Sequence, residues 1–435
     1  MGFAAIQKNK TYIVLSTILL TLTYFIFSAP RAVKQSTLLI GNLEIRPPPL
    51  DPAKIGEWWM LRNPSNGTQK LSKLGEVLFL SQPELPQDTD KQYKILVWKY
   101  GPTIERRHLK HFSESRIDPF SYCPVKNCEI TYEDQDIKTA DIVIIHLHRI
   151  KGVHDLPNNT YPRDPNQIWT FLTDESPFNT FMSSNDPLYK YNGLFNWSMT
   201  YRMDSDIPVP YGRTVLKKPP EEDAGLVELL LNKKRDVLVA VLGSNCGGQN
   251  HRWQFIYALQ KYIQVDIYGG CGTELKHECP GHFGQDCPEI GDYLFYLSFE
   301  NSNCDEYITE KLWWNAFHKN SIPIVMGSSK ETYKKLLPID SYINVDDFAN
   351  PQALAQYVQR LNDTGEFKTY YSWKNNFEIF NEHGYFKSTS FHYCRICQAM
   401  NYNDREMKVY NDLENYWSVK RDCHHAWDDW KEDNR

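Results

Sequence analysis

The fold of this chain is restricted most by a repeated order of short apolar run, glycine-containing turn and helical segment. Short continuous apolar runs are typical of strands buried in parallel sheets, and this order of elements is typical of α/β folds. The runs occupy residues 93–98, 140–146 and 167–172 in one half and residues 236–242, 265–268 and 322–326 in the other. We therefore predict two doubly wound, Rossmann-like domains that face each other across a cleft, with ligands at the carboxyl ends of the strands.

A charged, proline-bearing segment separates the two halves. Residues 217–232 contain two adjacent prolines and several charges, and are predicted to be a linker. The first domain then covers residues 92–216 and the second covers residues 233–390. Residues 391–435 form a cysteine-bearing C-terminal segment, and its last part, residues 401–435, has no role that the sequence assigns.

An uncharged stretch near the N-terminus indicates a membrane anchor. Residues 12–29 carry no charge over 18 positions, which is just long enough to span the hydrocarbon core of a bilayer. A cleaved signal peptide is the main alternative, but Pro30 directly after Ala29 makes a poor cleavage site. We expect a single signal-anchor helix after a cytoplasmic tail of residues 1–11.

Residues 30–91 are expected to form a stem between this anchor and the first domain. The proline-rich run 46–52 fits neither a helix interior nor a central strand. A spacer of this kind holds a folded body away from a membrane. The alternative is that Trp58, Trp59 and Met60 dock the segment onto the body.

Cysteines and glycosylation sequons favour a secretory compartment. The chain has ten cysteines, and N-x-[ST] sequons occur at Asn66, Asn158, Asn196 and Asn362. Both features are typical of proteins in an oxidising lumen, so we expect a type II protein with a lumenal body. The net charge of −6 argues against a protein that binds the phosphate backbone of nucleic acids independently of sequence.

Residues 298–316 carry the densest set of candidate functional residues in the second half. Asp305 is a plausible N-cap for a helix that begins near Glu306. On that helix Glu310 and Lys311 lie off the apolar face, and a lysine close to a helix start suits a phosphate or diphosphate. The alternative is an ordinary solvated Glu–Lys pair.

This run and motifs in both halves resemble the α1,3-fucosyltransferases. The matching motifs are residues 299–302, 307–313, 244–252, 265–269, 341–348, 174–177, 195–207 and 210–212. The resemblance covers residues 93–400. It implies a GT-B arrangement, in which residues 92–216 bind the acceptor and residues 233–390 bind GDP-fucose.

The resemblance also implies the reaction and the compartment. Members of this family are single-pass Golgi membrane proteins that transfer L-fucose from GDP-β-L-fucose in α1,3 linkage, with inversion, to GlcNAc of glycoprotein glycans. The resemblance implies no tightly bound cofactor and no structural metal, and it leaves room for stimulation by a divalent cation. The partners expected are therefore GDP-fucose, a glycoprotein N-glycan and the membrane.

The resemblance assigns roles to individual residues. Glu175 matches the general base, and Glu310 matches the residue that faces the fucose. Without the resemblance, Glu175 would be interpreted as a solvent-exposed acid in a loop. Arginine and lysine are suitable cations for a diphosphate leaving group. The donor-binding residues implied are Ser244, Asn245, Arg252, Tyr268, Asn301, Tyr307 and Lys311.

Three other motifs suggest metal or redox chemistry. Asp204 and Asp206 form a D-x-D triplet that could hold a divalent cation, but short motifs of this kind match often by chance. A zinc knuckle could be formed by His277, Cys279, His282 and Cys287, although a disulfide suits an oxidising lumen better. Residues 394–397 have the C-x-x-C spacing of redox proteins without their context.

The family resemblance implies a different use for the last pair. Cys394 and Cys397 would bridge to Cys123 and Cys128, and would hold the C-terminal segment on the first domain. Closing such a long loop restricts the unfolded chain, by about 4–5 kcal/mol in the entropic model. Six cysteines remain, with 15 pairings open: Cys246, Cys271, Cys279, Cys287, Cys304 and Cys423.

The acceptor stays open between two classes of glycan. Cys246, Cys271 and Cys304 interrupt motifs as they do in the invertebrate enzymes that fucosylate the innermost GlcNAc of N-glycans. Residues 312–313, however, resemble the Lewis-type branch, which acts on N-acetyllactosamine. An inactive glycan-binding relative is a further alternative, against which the presence of the expected acids and cations argues. We expect the core-type acceptor.

Overall fold

The computed structural model divides the chain into two units, Met1–Arg46 and Pro47–Arg435. It describes residues 39–40, 43–44, 46–63, 70–111, 118–157, 163–221, 223, 225–272, 279, 285–406 and 408–424. In the first unit, β1 (Leu39–Ile40) pairs antiparallel with β2 (Leu43–Glu44). The predicted tail and anchor, residues 1–29, lie outside the described residues, and no helix within the described ranges is long and apolar enough to cross a membrane.

The first sheet of the second unit is parallel and has the strand order β4-β3-β5-β6-β7-β8. Its strands are β3 (Tyr93–Val97), β4 (Cys128–Thr131), β5 (Ile142–His146), β6 (Ile168–Leu172), β7 (Trp197–Thr200) and β8 (Ile207–Pro208). Every residue of β5 and β6 is buried, as the continuous apolar runs predict for strands covered on both faces. The three strands predicted in this half are found within two residues of their expected bounds.

The second sheet is also parallel, with the order β11-β10-β12-β13-β14. The remaining strands are β9 (Gly212–Leu216), β10 (Val239–Leu242), β11 (Val265–Tyr268), β12 (Phe295–Phe299), β13 (Ile322–Met326), β14 (Ile343–Asn344) and β15 (Phe377–Asn381). β9 and β15 form a separate antiparallel ribbon. The strand order reverses between β10 and β12, which is the position where doubly wound sheets bind ligands.

Helices cover the sheets and connect their strands. They are α1 (Pro52–Arg62), α2 (Lys73–Phe79), α3 (Gly101–Glu105), α4 (Leu226–Leu231), α5 (Arg252–Leu259), α6 (Glu310–Leu312), α7 (Lys330–Leu336), α8 (Pro351–Thr364), α9 (His392–Tyr402), α10 (Leu413–Tyr416) and α11 (Val419–Asp422). Wider π-helical turns, Arg106–His111 and Trp313–His318, continue α3 and α6.

The helix predicted to begin at Glu306 begins four residues later, at Glu310. Glu306 has a φ of 61°, which is incompatible with a right-handed helix. The Asp305 amide donates to the Asp422 carbonyl, and Cys304 is bonded to Cys423. Tertiary contacts therefore hold residues 304–306 out of the helix, and the predicted cap at Asp305 is wrong.

Part of the predicted stem belongs to the folded body. Trp58 of α1 is buried, its indole N–H donates to the Leu337 carbonyl at 2.8 Å, and its ring meets Phe377 edge-on at 4.9 Å. α2 packs its apolar side chains into the core of the first sheet. Met60 is 66% exposed. Residues 52–62 and 73–79 are therefore not a detached spacer, and the docking alternative applies to Trp58 and to the partly buried Trp59, which packs against the same core, but not to Met60.

Five disulfides join all ten cysteines. The bridges are Cys123–Cys394, Cys128–Cys397, Cys246–Cys271, Cys279–Cys287 and Cys304–Cys423. The first two tie α9 to the start of the first domain, as the family resemblance implies. The last ties the C-terminal segment to the second half, and Trp417 beside it is completely buried. Residues 408–424 therefore complete the core.

Removing both bridges between the first domain and α9 should destabilise the protein strongly. Either bridge alone closes a loop of about 270 residues, so only the fourfold variant Cys123→Ala/Cys128→Ala/Cys394→Ala/Cys397→Ala frees it, and we expect the free energy of unfolding to fall by about 5 kcal/mol. Urea unfolding followed by tryptophan fluorescence measures this change. The matched control, Cys279→Ala/Cys287→Ala, opens a separation of only 8 residues and should cost about 2–3 kcal/mol. Equal losses for the fourfold variant and the control would contradict the loop-entropy explanation.

The glycosylation sequons differ in their surroundings. Asn196 is 2% exposed, and its side-chain nitrogen donates to the Lys408 carbonyl while its oxygen accepts from the Trp169 amide. The folded chain has no room for a glycan there, so the prediction for Asn196 is wrong. Asn362 lies half-buried near the end of α8 and stays a prediction. Asn66 and Asn158 lie outside the described residues.

Candidate active site

A cleft of about 370 Å³ lies between the carboxyl ends of the two parallel sheets. Segments that follow β6, β8, β10, β11 and β12 all reach it. It contains most of the predicted site residues: Glu175, Ser244, Asn245, Arg252, Asn301, Tyr307, Glu310 and Lys311. The fold therefore brings the two predicted catalytic acids and the two predicted cations to one cavity.

Two loops form the wall of the cleft at the carboxyl ends of β10 and β11. Gly243, Ser244 and Asn245 follow β10, and Gly269 and Gly270 follow β11. Gly269 has a φ of 85°, and a Cβ there would lie 2.8 Å from the Gly243 carbonyl oxygen. Only glycine permits both this backbone conformation and this approach. The Cys246–Cys271 disulfide then joins the two loops covalently.

Arg252 is the first residue of α5 and organises the same wall. Its guanidinium donates to three backbone carbonyls, those of Gly247 at 3.1 Å, Phe299 at 2.9 Å and Asn245 at 2.7 Å. It is 6% exposed. Arg252 thus connects the loop after β10 to the end of β12 while it also lines the cleft. Its positive charge is fixed in place rather than carried on a free side chain.

Lys311 stands among acidic and hydroxyl groups at the start of α6. Its Nζ lies 3.2 Å from Glu300 Oε2 and 3.2 Å from Glu310 Oε1, and it donates to Thr309 Oγ1 at 2.9 Å. Glu300 in turn accepts from the Thr309 amide at 2.7 Å. This network presents one ammonium and one carboxylate, those of Lys311 and Glu310, to the cavity.

The network keeps both groups charged. Burial opposes the charge of Lys311, but Glu300 and Glu310 outweigh it and raise the pKa of the ammonium. Burial likewise opposes the charge of Glu310, but Lys311 outweighs it and lowers the pKa of that carboxyl. A cation and an anion therefore lie side by side at the cleft at neutral pH.

Glu175 enters the cleft from the other sheet, in the loop after β6. The Tyr307 hydroxyl donates to its Oε2 at 3.0 Å. Burial and the negative charge of the neighbouring Asp174 raise the pKa of the Glu175 carboxyl. A carboxylate with a raised pKa is a stronger base than an ordinary surface glutamate, which suits proton abstraction.

Tyr268 does not line the cleft. Its ring is buried beside Tyr293, and the two hydroxyls lie 3.0 Å apart. The last residue of β11 points into the core, while the two glycines that follow it reach the cavity. Asn301 does reach the cavity, where its Oδ1 accepts from the Ser302 hydroxyl at 3.0 Å.

Nine lining residues were not predicted as site residues, and the aromatic and amide side chains among them are those of Tyr211, Asn315, Tyr385 and Phe386. Tyr211 lies in a quoted motif, residues 210–212, so the sequence did carry a signal for it. Tyr385 and Phe386 follow β15, far along the chain from the other lining residues. Only the pairing of β15 with β9 brings them to the cleft.

The D-x-D triplet lies among protein cations and hydroxyls. Arg202 Nε donates to Asp204 Oδ1 at 2.9 Å. Asp206 pairs with Lys408 at 2.5 Å and accepts from the Tyr410 hydroxyl at 2.8 Å. These contacts tie β8 to the C-terminal segment. The two carboxylates therefore have a structural use.

A different cluster offers ligand atoms close enough for a metal ion. One such atom of His108, Asp174 and His392 each lies within 4.8 Å of the others, and all three residues are buried. However, Asp174 already pairs with Arg107 at 2.7 Å. His108 Nδ1 and His392 Nδ1 both lie within hydrogen-bond distance of the Ser390 hydroxyl. A protein cation thus already compensates the charge of this cluster.

Comparison with known proteins gives the chain a family. The family described as "Fucosyltransferase, N-terminal" matches residues 90–212, and the one described as "Glycosyltransferase family 10 (fucosyltransferase) C-term" matches residues 232–417. Together the two matches contain both parallel sheets and every described residue that lines the cleft.

Individual relatives agree with this match. Glycoprotein 3-alpha-L-fucosyltransferase A of Drosophila melanogaster is 36% identical over 68% of this chain and 55% of its own length. Alpha-(1,3)-fucosyltransferase 7 of Rattus norvegicus is 32% identical over 75% and 80%. The human 4-galactosyl-N-acetylglucosaminide 3-alpha-L-fucosyltransferase FUT6 is 36% identical over 57% and 65%. The chain thus spans less than two thirds of the Drosophila and human relatives, but four fifths of the rat one. It belongs to glycosyltransferase family 10, the fucosyltransferases.

Proposed function

We propose that this protein transfers L-fucose from GDP-β-L-fucose, in α1,3 linkage and with inversion, to GlcNAc of glycoprotein glycans. One observation carries the proposal: Glu175 from the first sheet and the Glu310–Lys311 pair from the second line the same cleft. Inverting transfer needs a base on one side of the anomeric carbon and a stabilised leaving group on the other. A cleft between two domains supplies both.

Glu175 would act as the base. Its carboxylate would take the proton of the acceptor hydroxyl as that oxygen forms its bond to the anomeric carbon. The Tyr307 hydroxyl, bonded to Oε2, leaves Oε1 to receive the proton. Because the pKa of Glu175 is raised, the proton transfer is more favourable than to an ordinary carboxylate.

The second domain would stabilise the groups that separate. The bond between the anomeric carbon and the diphosphate oxygen breaks, and GDP leaves with the electron pair. Lys311 and Arg252 are the cations of the cleft wall and would neutralise the charge that develops on the diphosphate. Glu310 stays ionised and would stabilise the positive charge that develops on the fucose ring.

For the acceptor, we propose the innermost GlcNAc of N-glycans. The cysteines that resemble the invertebrate core-type enzymes form two bridges, Cys246–Cys271 at the cleft wall and Cys304–Cys423 beside α6. The Drosophila relative carries "glycoprotein" in its name, which supports a glycoprotein acceptor. The name of the human relative favours the second candidate, N-acetyllactosamine.

One assay tests the activity and the acceptor together. The purified protein is incubated with GDP-fucose, a core N-glycan peptide and N-acetyllactosamine, and the products are identified by mass spectrometry. We expect a mass increase of one fucose on the innermost GlcNAc of the peptide. Fucose only on N-acetyllactosamine would replace the core acceptor by the Lewis-type one. Glycan binding with product on neither acceptor would contradict the transferase and support an inactive relative.

We also propose that the protein is anchored in the Golgi membrane with its body in the lumen. Five disulfides suit an oxidising compartment. The uncharged stretch of residues 12–29 supports the anchor. Protease protection of the intact body in sealed vesicles, together with co-localisation with a Golgi marker, tests the proposal; cleavage of the body without detergent would contradict it.

A further inference from the structure

The structure assigns Asp174 as a positioning residue for Glu175. We propose that its buried carboxylate, held by Arg107, His146 and His383, fixes the loop that carries the base and places a negative charge directly beside it. The inference rests on the proposed function, because Glu175 is the base only of a transferase. Asp174 itself does not line the cleft and would act entirely through its neighbour.

The contacts of the Asp174 carboxylate come from three separate segments. Arg107 Nη1 lies 2.7 Å from Oδ2, His383 Nε2 lies 3.3 Å from Oδ2, and His146 Nε2 lies 3.5 Å from Oδ1. Asp174 is 2% exposed. Arg107 is the cation among these partners, and losing it would leave the buried carboxylate uncompensated in a dry environment, which favours the one orientation that keeps the pair.

The same network holds the backbone at Asp174 and reaches the cleft wall. The Tyr211 hydroxyl donates to the Asp174 carbonyl at 2.8 Å, and the Tyr211 ring stacks on His383 at 3.8 Å with the planes 7° apart. Arg107 also donates to the Tyr385 hydroxyl. Because Tyr211 and Tyr385 line the cleft, the base and these two lining side chains share one support.

The charges around Glu175 determine the direction in which Asp174 shifts the pKa of the base. Asp174 is ionised, because Arg107 and the two histidines outweigh burial and hold its pKa well below the usual range. Its negative charge raises the pKa of Glu175, whereas His148, Tyr307 and Arg107 lower it. The other titratable groups packed against the pair are Tyr201, Tyr211, Tyr385, His108, His146, His383 and His392.

Asp174→Asn should therefore make Glu175 a weaker base. The substitution removes the negative charge of Asp174 and leaves the positive charge of Arg107, so the pKa of Glu175 falls. The acidic limb of the pH profile of kcat should move to lower pH with it. We expect kcat to fall about tenfold to hundredfold, while the KM for GDP-fucose changes less than twofold because Asp174 touches none of the donor-side wall.

A second readout does not depend on turnover. Carbodiimide couples only to protonated carboxyls, so the pH at which Glu175 labelling is half-maximal, measured by peptide mass spectrometry, reports its pKa. This midpoint should fall in Asp174→Asn and rise in Arg107→Gln, which removes the opposite charge. If Asp174→Asn does not fold, the upward shift in Arg107→Gln carries the test.

Asp155→Asn is the matched control. Asp155 is a buried aspartate of the same domain, 5% exposed, held by Lys99, Tyr100 at 2.9 Å and the Lys151 amide at 2.7 Å. Its loss should lower stability without moving the labelling midpoint of Glu175. A midpoint that is unchanged in both Asp174→Asn and Arg107→Gln would overturn the proposal. If both variants show the expected shifts but the wild-type protein transfers no fucose, the proposed function is overturned instead.

Discussion

Glu175→Gln is expected to abolish fucose transfer while the protein still binds GDP. The amide cannot accept the proton of the acceptor hydroxyl, and loss of a general base costs about 10²- to 10⁴-fold in rate. Glutamine keeps the size of the side chain and an oxygen that accepts from the Tyr307 hydroxyl. We therefore expect kcat to fall by about 10³-fold, with the Kd for GDP, measured by calorimetry, unchanged within twofold.

Two companion variants make this result specific. Glu175→Asp keeps the carboxylate but withdraws it by one methylene, and should retain partial activity. Glu366→Gln changes an exposed glutamate that pairs with Arg360 at 2.8 Å, away from the cleft, and should leave kcat and KM unchanged. Turnover like that of the wild type in Glu175→Gln would remove Glu175 from the mechanism.

Lys311→Ala is expected to weaken donor binding and to slow transfer. The substitution removes a cation held at the cleft by Glu300, Glu310 and Thr309. Losing one preorganised charge contact to a leaving diphosphate costs about 2.7–4 kcal/mol, which is about 10²- to 10³-fold in kcat/KM. Steady-state kinetics with GDP-fucose varied at saturating acceptor measures this loss, and both KM and kcat should change.

The interpretation needs a measure of folding, because Lys311 also compensates a buried acid. Without it, Glu300, which is 1% exposed, keeps its hydrogen bonds to Thr309 but loses its cation, and such losses are destabilising. The melting temperature of Lys311→Ala is therefore measured alongside. Lys330→Ala, which breaks a half-exposed pair with Asp347, is the control and should keep wild-type kinetics. An unchanged donor KM and kcat in folded Lys311→Ala would contradict its role.

The strands were the part of the fold that the sequence predicted best. The strands β3, β5, β6, β10, β11 and β13 lie within a few residues of apolar runs, because a strand buried on both faces must be apolar throughout. The positions of Glu175 and Ser244 could be predicted for the same reason. Each follows a parallel strand, and the carboxyl ends of parallel strands meet at one edge.

Local patterns failed where distant segments determined the conformation. The helix expected at Glu306 starts at Glu310 because a disulfide and a hydrogen bond from residues 422–423 hold the preceding residues. Asn196 has a perfect sequon but is buried under Lys408. Tyr268 stands in the right motif but on the inward face of its strand. No local window contains these partners.

By itself, then, the sequence determined the two α/β halves, the strand ends that carry the chemistry and the family to which the chain belongs. Only the tertiary structure decided how the other six cysteines pair, where residues 408–424 pack, and that Asp174 joins Arg107, His146 and His383 behind the base. The physical reason is the range of the interactions. Strand burial is written into consecutive residues, whereas a buried charge is compensated by whichever distant side chains the fold brings within hydrogen-bond distance.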